Sequence, residues 1–248
     1  MERAQRRALI TAAASGIGAV VAKAVKRGGY DVTISDIDPT AGERFAREEG
    51  LTFVHCDLRS ERDIVALIRG SGAVDLLVNN GGISGPTAPT TDVSLSDWQQ
   101  VLDVNLTAQF LGCREMVPLM QARGGGCIVN MSSVAGKIGY PNRSPYAASK
   151  WAILGLTAAL AREVGPAGIR VNAILPGTVR GARIEQVIAE YAQINSVSQK
   201  EAEAAYLTRH ATTRFVEPSE IAAMILHLAS DAAKSITGQF LSVDGGFQ

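Results

Sequence analysis

Thr11-Ala12-Ala13-Ala14-Ser15-Gly16-Ile17-Gly18 is the stretch that decides the fold of this 248-residue chain. It follows a β-prone run, Ala8-Leu9-Ile10, and opens a segment carrying Val20, Val21, Ala24 and Val25 at helical spacing. Strand, glycine turn and amphipathic helix, in that order, are the setting in which a helix N-terminus holds a phosphate. Glycine lets the backbone approach a pyrophosphate, and the unpaired N–H groups of the first turn carry partial positive charge. Thr11, Ser15, Gly16, Ile17 and Gly18 are the candidate contacts. The next β-prone run ends at Asp36, eighteen residues after Gly18. A carboxylate there accepts hydrogen bonds from both ribose hydroxyls of NAD and repels a 2′-phosphate. Positions 12–15 hold no Lys or Arg, and Ile37 follows the aspartate, so nothing compensates a phosphate charge. The expected cofactor is NAD, with Asp36 and Ile37 among its contacts.

From this turn outward, short β-rich runs alternate with helical stretches to the end of the chain, the pattern of a parallel sheet covered on both faces. Strands are expected at Ala8-Ile10, Asp31-Ser35, Thr52-Cys56, Leu76-Asn79, Cys127-Met131, Arg170-Ile174 and Phe240-Val243. The predicted architecture is α/β: one Rossmann-type, doubly wound, mainly parallel seven-stranded domain over residues 1–248. The rhythm breaks once, at residues 176–214, where two helical pieces replace a short loop and Ser198-x-x-Glu201 reads as a capping box. An insertion at the C-terminal end of a strand lies where open α/β sheets bind ligands, so it is read as a helical substrate lid.

Bulk properties narrow the function. Lys+Arg and Asp+Glu both number 24, and this zero formal charge offers no general attraction to nucleic acid or anionic membrane. Cys56, Cys113 and Cys127 and the three histidines, His55, His210 and His227, fit no metal-binding or disulfide spacing, so no metal is expected. The basic N-terminus lacks the apolar run of a secretory signal, and the longest mostly apolar run, residues 151–161, is about half a membrane span. A cytoplasmic protein acting on a small molecule is expected.

Chemistry is suggested by Tyr146 and Lys150, four residues apart in Ser144-Pro145-Tyr146-Ala147-Ala148-Ser149-Lys150, with Ser133 thirteen residues before the tyrosine. The surrounding residues favour a helix, on which positions i and i+4 share a face. A tyrosine with the ordinary pKa near 10 shuttles protons poorly at neutral pH, and an adjacent cation favours its phenolate. The spacing alone also fits ordinary surface residues.

Taken together, these residues resemble the short-chain dehydrogenase/reductase family along essentially the whole chain. Thr11 to Gly18 is similar to its glycine turn, Cys56-Asp57-Leu58 to its adenine-contacting segment, and Asn79-Asn80-Gly81-Gly82 to its Asn-Asn-Ala-Gly. Asn105 matches its helix asparagine, Pro176-Gly177 its nicotinamide-side turn, and Ser242-Val243-Asp244-Gly245-Gly246 its C-terminal signature. The resemblance implies hydride transfer between a secondary alcohol and a ketone. In it Tyr146 is the general acid/base, and Lys150 lowers the tyrosine's pKa and holds the nicotinamide ribose. Ser133 binds the substrate oxygen and Asn105 holds a relay water, while Ser132 is structural. Asn79, Asn80 and Gly81 join the cofactor contacts, and a homotetramer built through the long helices and final strand is implied. Three departures stand out. Ala12 replaces the family's first glycine, which strains the turn if that position needs φ > 0. Gly81 replaces an alanine and is expected to add only flexibility. Gly181 stands where a threonine often bonds the carboxamide, leaving that role to backbone groups, notably of Val179.

Arg180 and Arg183, at the base of the 176–214 segment, are candidate grips for a substrate anion, the competing reading being surface pairs with Glu185 or Glu190. A small polar hydroxy compound, such as a sugar, polyol or hydroxy acid, is the expected substrate. Two alternatives stay open: a non-catalytic NAD-binding scaffold or regulator, and a nucleotide-sugar epimerase or dehydratase. The latter class normally has a Gly-x-x-Gly-x-x-Gly turn and a longer C-terminal domain.

Overall fold

Both faces of the central sheet are buried, which is why its strands read as continuous apolar runs and not as an alternating pattern. The computed structural model describes residues 5–247, apart from the side chains of Arg183, Glu190 and Ile194. In chain order its elements are β1 (Arg6–Thr11), α1 (Gly16–Arg27), β2 (Tyr30–Asp36), α2 (Pro39–Glu49), β3 (Thr52–His55), α3 (Glu61–Ser71), β4 (Leu76–Asn79) and α4 (Leu95–Leu102). There follow α5 (Ala108–Arg123), β5 (Gly126–Met131), α6 (Ser144–Val164), β6 (Ile169–Pro176), α7 (Ala182–Asn195), α8 (Gln199–Leu207), α9 (Pro218–Leu228) and β7 (Phe240–Val243). The sheet order is β3-β2-β1-β4-β5-β6-β7, and every pairing is parallel, so the expected "mainly parallel" sheet is parallel throughout.

Alternation along each strand divides the core into two layers. Ala8 and Ile10 of β1 pack with Val21, Val25, Ile221 and Ile225 of α1 and α9, whereas Leu9 points the other way, among Ile64, Leu67, Met116 and Met120 of α3 and α5. Ile10, Leu9, Met116 and Ile225 are completely buried. Each such side chain contributes about 1.5–3 kcal/mol on leaving water. Helix starts follow capping chemistry. Asp38, Ser60 and Ser94 accept N–H bonds at the N-termini of α2, α3 and α4, and Ser198 with Glu201 forms the expected capping box of α8.

Strand order reverses between β1 and β4, and the crevice at their C-terminal ends is where this architecture binds ligands. The 176–214 segment begins as extended chain. Val179 bridges Val216 in parallel before α7 and α8 pack together through Ile184, Ile188, Ala192, Ala202 and Phe215. Cys56 falls just beyond β3 and not within it. All three cysteines are buried and form no disulfide, and burial pushes the thiols up to about 12 at Cys56, about 12 at Cys113 and about 11 at Cys127. Among the described residues, no helix is long and apolar enough to cross a membrane.

Candidate active site

At the end of β1 the chain turns sharply. Ala12 adopts φ 51° and Gly16 φ 57°, so the strain foreseen at Ala12 is present. Ser15, the N-cap of α1, makes no side-chain capping bond, and the first helical bond runs from Ala19 N–H to Ser15 O at 3.2 Å. The N–H groups before Ala19 therefore keep the open first turn that suits a phosphate. Gly18 has no room for a side chain: a Cβ there would lie 2.5 Å from the carbonyl oxygen of Ala12 and 2.6 Å from Nδ2 of Asn80. Asp36 ends β2 beside this turn, its carboxylate accepting N–H bonds from Ala14 at 3.0 Å and Asp38 at 3.2 Å. Ile37 next to it is 54% exposed. An open helix N-terminus with a carboxylate at the neighbouring strand end fits a dinucleotide.

The asparagine turn after β4 is tied to β1. Asn80 donates from Nδ2 to the carbonyls of Thr11 (3.1 Å) and Ala12 (2.8 Å), and Thr11 Oγ1 accepts the N–H groups of Asn80 (3.0 Å) and Gly81 (3.3 Å). Thr11 and Asn80 thus set the shape of the turn with the same groups that were expected to touch a ligand. Asn79 turns into the interior. Its amide donates to Asn130 Oδ1 at 2.9 Å and to Cys113 Sγ at 3.4 Å, while Asn130 donates to Thr157 Oγ1 at 3.0 Å. Consecutive strand residues face opposite ways, so Asn79 and Asn80 cannot both line the crevice, a constraint readable from sequence. The buried Asn130 and Thr157 that complete this chain carry no motif and were missed. A Cβ on Gly81 would meet the terminal methyl Cδ1 of the half-buried Leu58 at 2.1 Å, a side chain that can rotate away. Nearby, Asp57 is clasped by Arg59 at 2.7 Å, and that hydrogen-bonded guanidinium holds its carboxyl below the usual range.

Between α4 and α5 the helix widens into one π turn, residues 103–107, carrying the fully buried Asn105. Such turns recur at functional sites because they displace a residue from the regular helical face. Asn105 Oδ1 accepts the Ile83 N–H at 2.7 Å, and Nδ2 donates to Ile83 O at 2.9 Å and to Ser149 Oγ at 3.0 Å. Ser149, three residues after Tyr146, was not foreseen as part of this frame. Lys150 is buried to 4% exposure, and its Nζ donates to Met131 O at 2.9 Å and lies 5.6 Å from the centroid of the half-buried Tyr146 ring. A Cβ placed on Gly82 would sit 3.3 Å from both Asn105 Oδ1 and Lys150 Nζ, so the two groups converge beside that glycine. Ser132 donates to Lys150 O at 2.8 Å and fixes the helix from below. Ser133 Oγ accepts the Ala135 N–H at 3.2 Å, leaving its own O–H to donate. Lys150 and Asn105 thus meet beside Gly82 with the Tyr146 ring next to them, brought there by α6 and the π turn, while Ser133 follows the end of β5.

At the end of β6, Gly177 donates to Val243 O at 3.0 Å, and a Cβ on it would lie 2.8 Å from Asp244 Cα. The bonds to Val216 are made by Thr178 O and Arg180 N, so by alternation Val179's own N–H and C=O face away from Val216. Among the described residues Arg180 does not pair with Glu185, and the Glu190 side chain lies outside them. The Arg180 Nε bonds Glu217 at 2.9 Å, Glu203 lies 4.0 Å away, and the guanidinium sits 5.3 Å from the Phe215 ring. The Arg183 side chain lies outside the described residues.

Comparison with known proteins agrees with this geometry. A family model described as enoyl-(acyl carrier protein) reductase matches residues 11–248, and the chain belongs to the short-chain dehydrogenase/reductase family of oxidoreductases. It is 35% identical to a 2,5-dichloro-2,5-cyclohexadiene-1,4-diol dehydrogenase of Sphingobium indicum, over 96% of this chain and 95% of the relative. It is likewise 35% identical to the cis-4-hydroxycyclohexanecarboxylate dehydrogenase of Sinomonas cyclohexanicum, over 98% and 97%. Among solved structures, an actinorhodin polyketide ketoreductase variant with NADPH superposes with a TM-score of 0.91 at 35% identity, over 98% of this chain and 97% of that one.

Proposed function

We propose that this protein is an NAD-dependent dehydrogenase interconverting a secondary alcohol and a ketone on a small hydroxy compound, with Tyr146 as its general acid/base. The observation that carries the reading is the convergence of the Lys150 ammonium and the Asn105 carboxamide beside Gly82, with the Tyr146 ring 5.6 Å from Lys150 Nζ. The Tyr146 hydroxyl has no protein partner among the described residues, which leaves it for a substrate oxygen. In oxidation Tyr146 takes the hydroxyl proton, and the Lys150 cation stabilises the charge developing during that transfer. Ser133 donates its O–H to the same substrate oxygen and so orients the carbinol carbon. Both Nδ2 hydrogens of Asn105 are taken by Ile83 and Ser149, so its part in a proton relay falls to Oδ1 and the π-turn backbone.

A bound nicotinamide dinucleotide supplies the hydride acceptor or donor. Thr11, Ser15, Gly16, Ile17 and Gly18 would hold its phosphates, and Asp36 with Ile37 the adenosine ribose. Cys56, Asp57 and Leu58 would flank the adenine, and Asn80, Gly81, Lys150, Pro176, Gly177 and Val179 the nicotinamide half. The Asp36 carboxylate, with no basic residue at 12–15, favours NAD over NADP. The 176–214 segment serves as substrate lid. The exposed Phe110 of α5, Trp151 of α6 and Phe240 of β7 supply apolar contacts for a homotetramer.

The test is to follow reduced nicotinamide with NAD or NADP and a panel of cyclic alcohols, polyols and hydroxy acids. Tyr146→Phe should lower turnover by about 10²–10⁴-fold while dinucleotide binding persists. Full turnover in that variant would refute the assignment.

A further inference from the structure

The arginine at the base of the lid is held by acids, whereas two others are not. Arg143 is the N-cap of α6, three residues before Tyr146, and Arg209 follows α8. Arg209 lies over the Phe247 ring at 4.5 Å and also 5.9 Å from the ring of Tyr140, whose carbonyl accepts the Arg143 N–H at 3.2 Å. Tyr206 of α8 stands edge-on to Tyr191 of α7 at 5.7 Å. Burial first, then the neighbouring Tyr140 and Tyr191 phenols, push Tyr206 up, while Arg209 and Arg143 pull against them. Three tyrosines and two arginines, from the β5–α6 loop, α7 and α8, therefore share one corner beside the α6 N-terminus. Among the described residues, neither guanidinium has a carboxylate within 4.0 Å or donates a side-chain hydrogen bond. Aromatic rings cover the flat face of a guanidinium and leave its in-plane N–H fork open, the geometry that grips a carboxylate bidentately.

We infer that Arg209 and Arg143 bind the carboxylate of the substrate, making it a hydroxy acid whose hydrocarbon frame spans from this corner to Tyr146. The inference rests on the dehydrogenase reading of Tyr146 and moves the anion grip away from Arg180. Tyr140, Tyr191 and Tyr206 supply apolar ring surface for the frame, with hydroxyls at its rim.

Isothermal titration of the NAD-loaded protein with cyclohexanecarboxylate and with its neutral amide tests the site without turnover. The acid should bind about ten- to a hundredfold more tightly than the amide. Arg209→Met and Arg143→Met should each erode that ratio, which is read within one protein and so is insensitive to how much of a variant folds. Arg209→Lys, which keeps the charge without the fork, should restore part of it. Absence of any preference for the acid, an unchanged ratio in both Met variants, or loss confined to Arg180→Met would overturn the inference. If the acid is preferred as expected but neither cyclohexanol nor 4-hydroxycyclohexanecarboxylate is turned over with either nicotinamide dinucleotide, the anion site stands and the dehydrogenase reading fails.

Discussion

One methyl group strains the phosphate turn. At φ 51°, the Cβ of Ala12 crowds its own backbone by about 1–2 kcal/mol, of which glycine would recover all but the entropy it gains when unfolded. Ala12→Gly should therefore stabilise the protein by about 0.5–1 kcal/mol and raise its melting temperature by about 1–4 °C. A lower melting temperature would show that the strain is relaxed elsewhere. Gly81→Ala, whose Cβ would meet only the terminal methyl of Leu58, should be accommodated by rotation of that side chain and shift stability by less than about 1 kcal/mol, as chemical denaturation can establish. Ala12 was legible because the need for φ > 0 is local. The approach of Leu58 to Gly81 was not, because Leu58 lies 23 positions earlier and only folding brings the two together. Arg180 shows the same limit: the acid its Nε bonds, Glu217, is 37 residues away, across an isolated bridge.

Elements declared themselves in proportion to how local their signals are. β4 and β7 begin and end where their apolar runs do, and the Ser198/Glu201 box marks the start of α8. The π turn around Asn105 has no comparable signature, since it is set by bonds to Ile83 and Ser149 at distant positions. The N-terminus of α9 depends on charge. Glu220 accepts two bonds from Arg214, at 2.7 and 2.8 Å, and the Glu217 N–H at 2.8 Å, which together hold its carboxyl down at about 2. Because the folded value lies below the unfolded one, this contribution is complete above about pH 4.5 and is lost as pH falls towards 2. The difference in urea midpoint between the wild type and Glu220→Gln should therefore shrink on acidification from pH 6 to pH 3. A constant difference would mean that the pair adds nothing to stability.

At the scale of the molecule, zero net charge and exposed Phe110 (45%), Trp151 (52%) and Phe240 (40%) favour self-association. Light scattering should give the mass of four 26.1 kDa chains, and Phe110→Glu or Trp151→Glu should reduce it; a wild-type mass of one chain would refute the assembly. The sheet was legible as a whole because both its faces are covered, whereas the corner of tyrosines and arginines was not, since its members come from three separate elements. The cysteines offer a use of their own. Burial pushes the thiols of Cys113 and of Cys127, beneath α9, well above neutral pH, so hardly any of either is ionised there. An alkylating reagent must wait for the surrounding layer to open before it reacts, so the three labelling rates act as built-in clocks for the breathing of separate parts of the sheet.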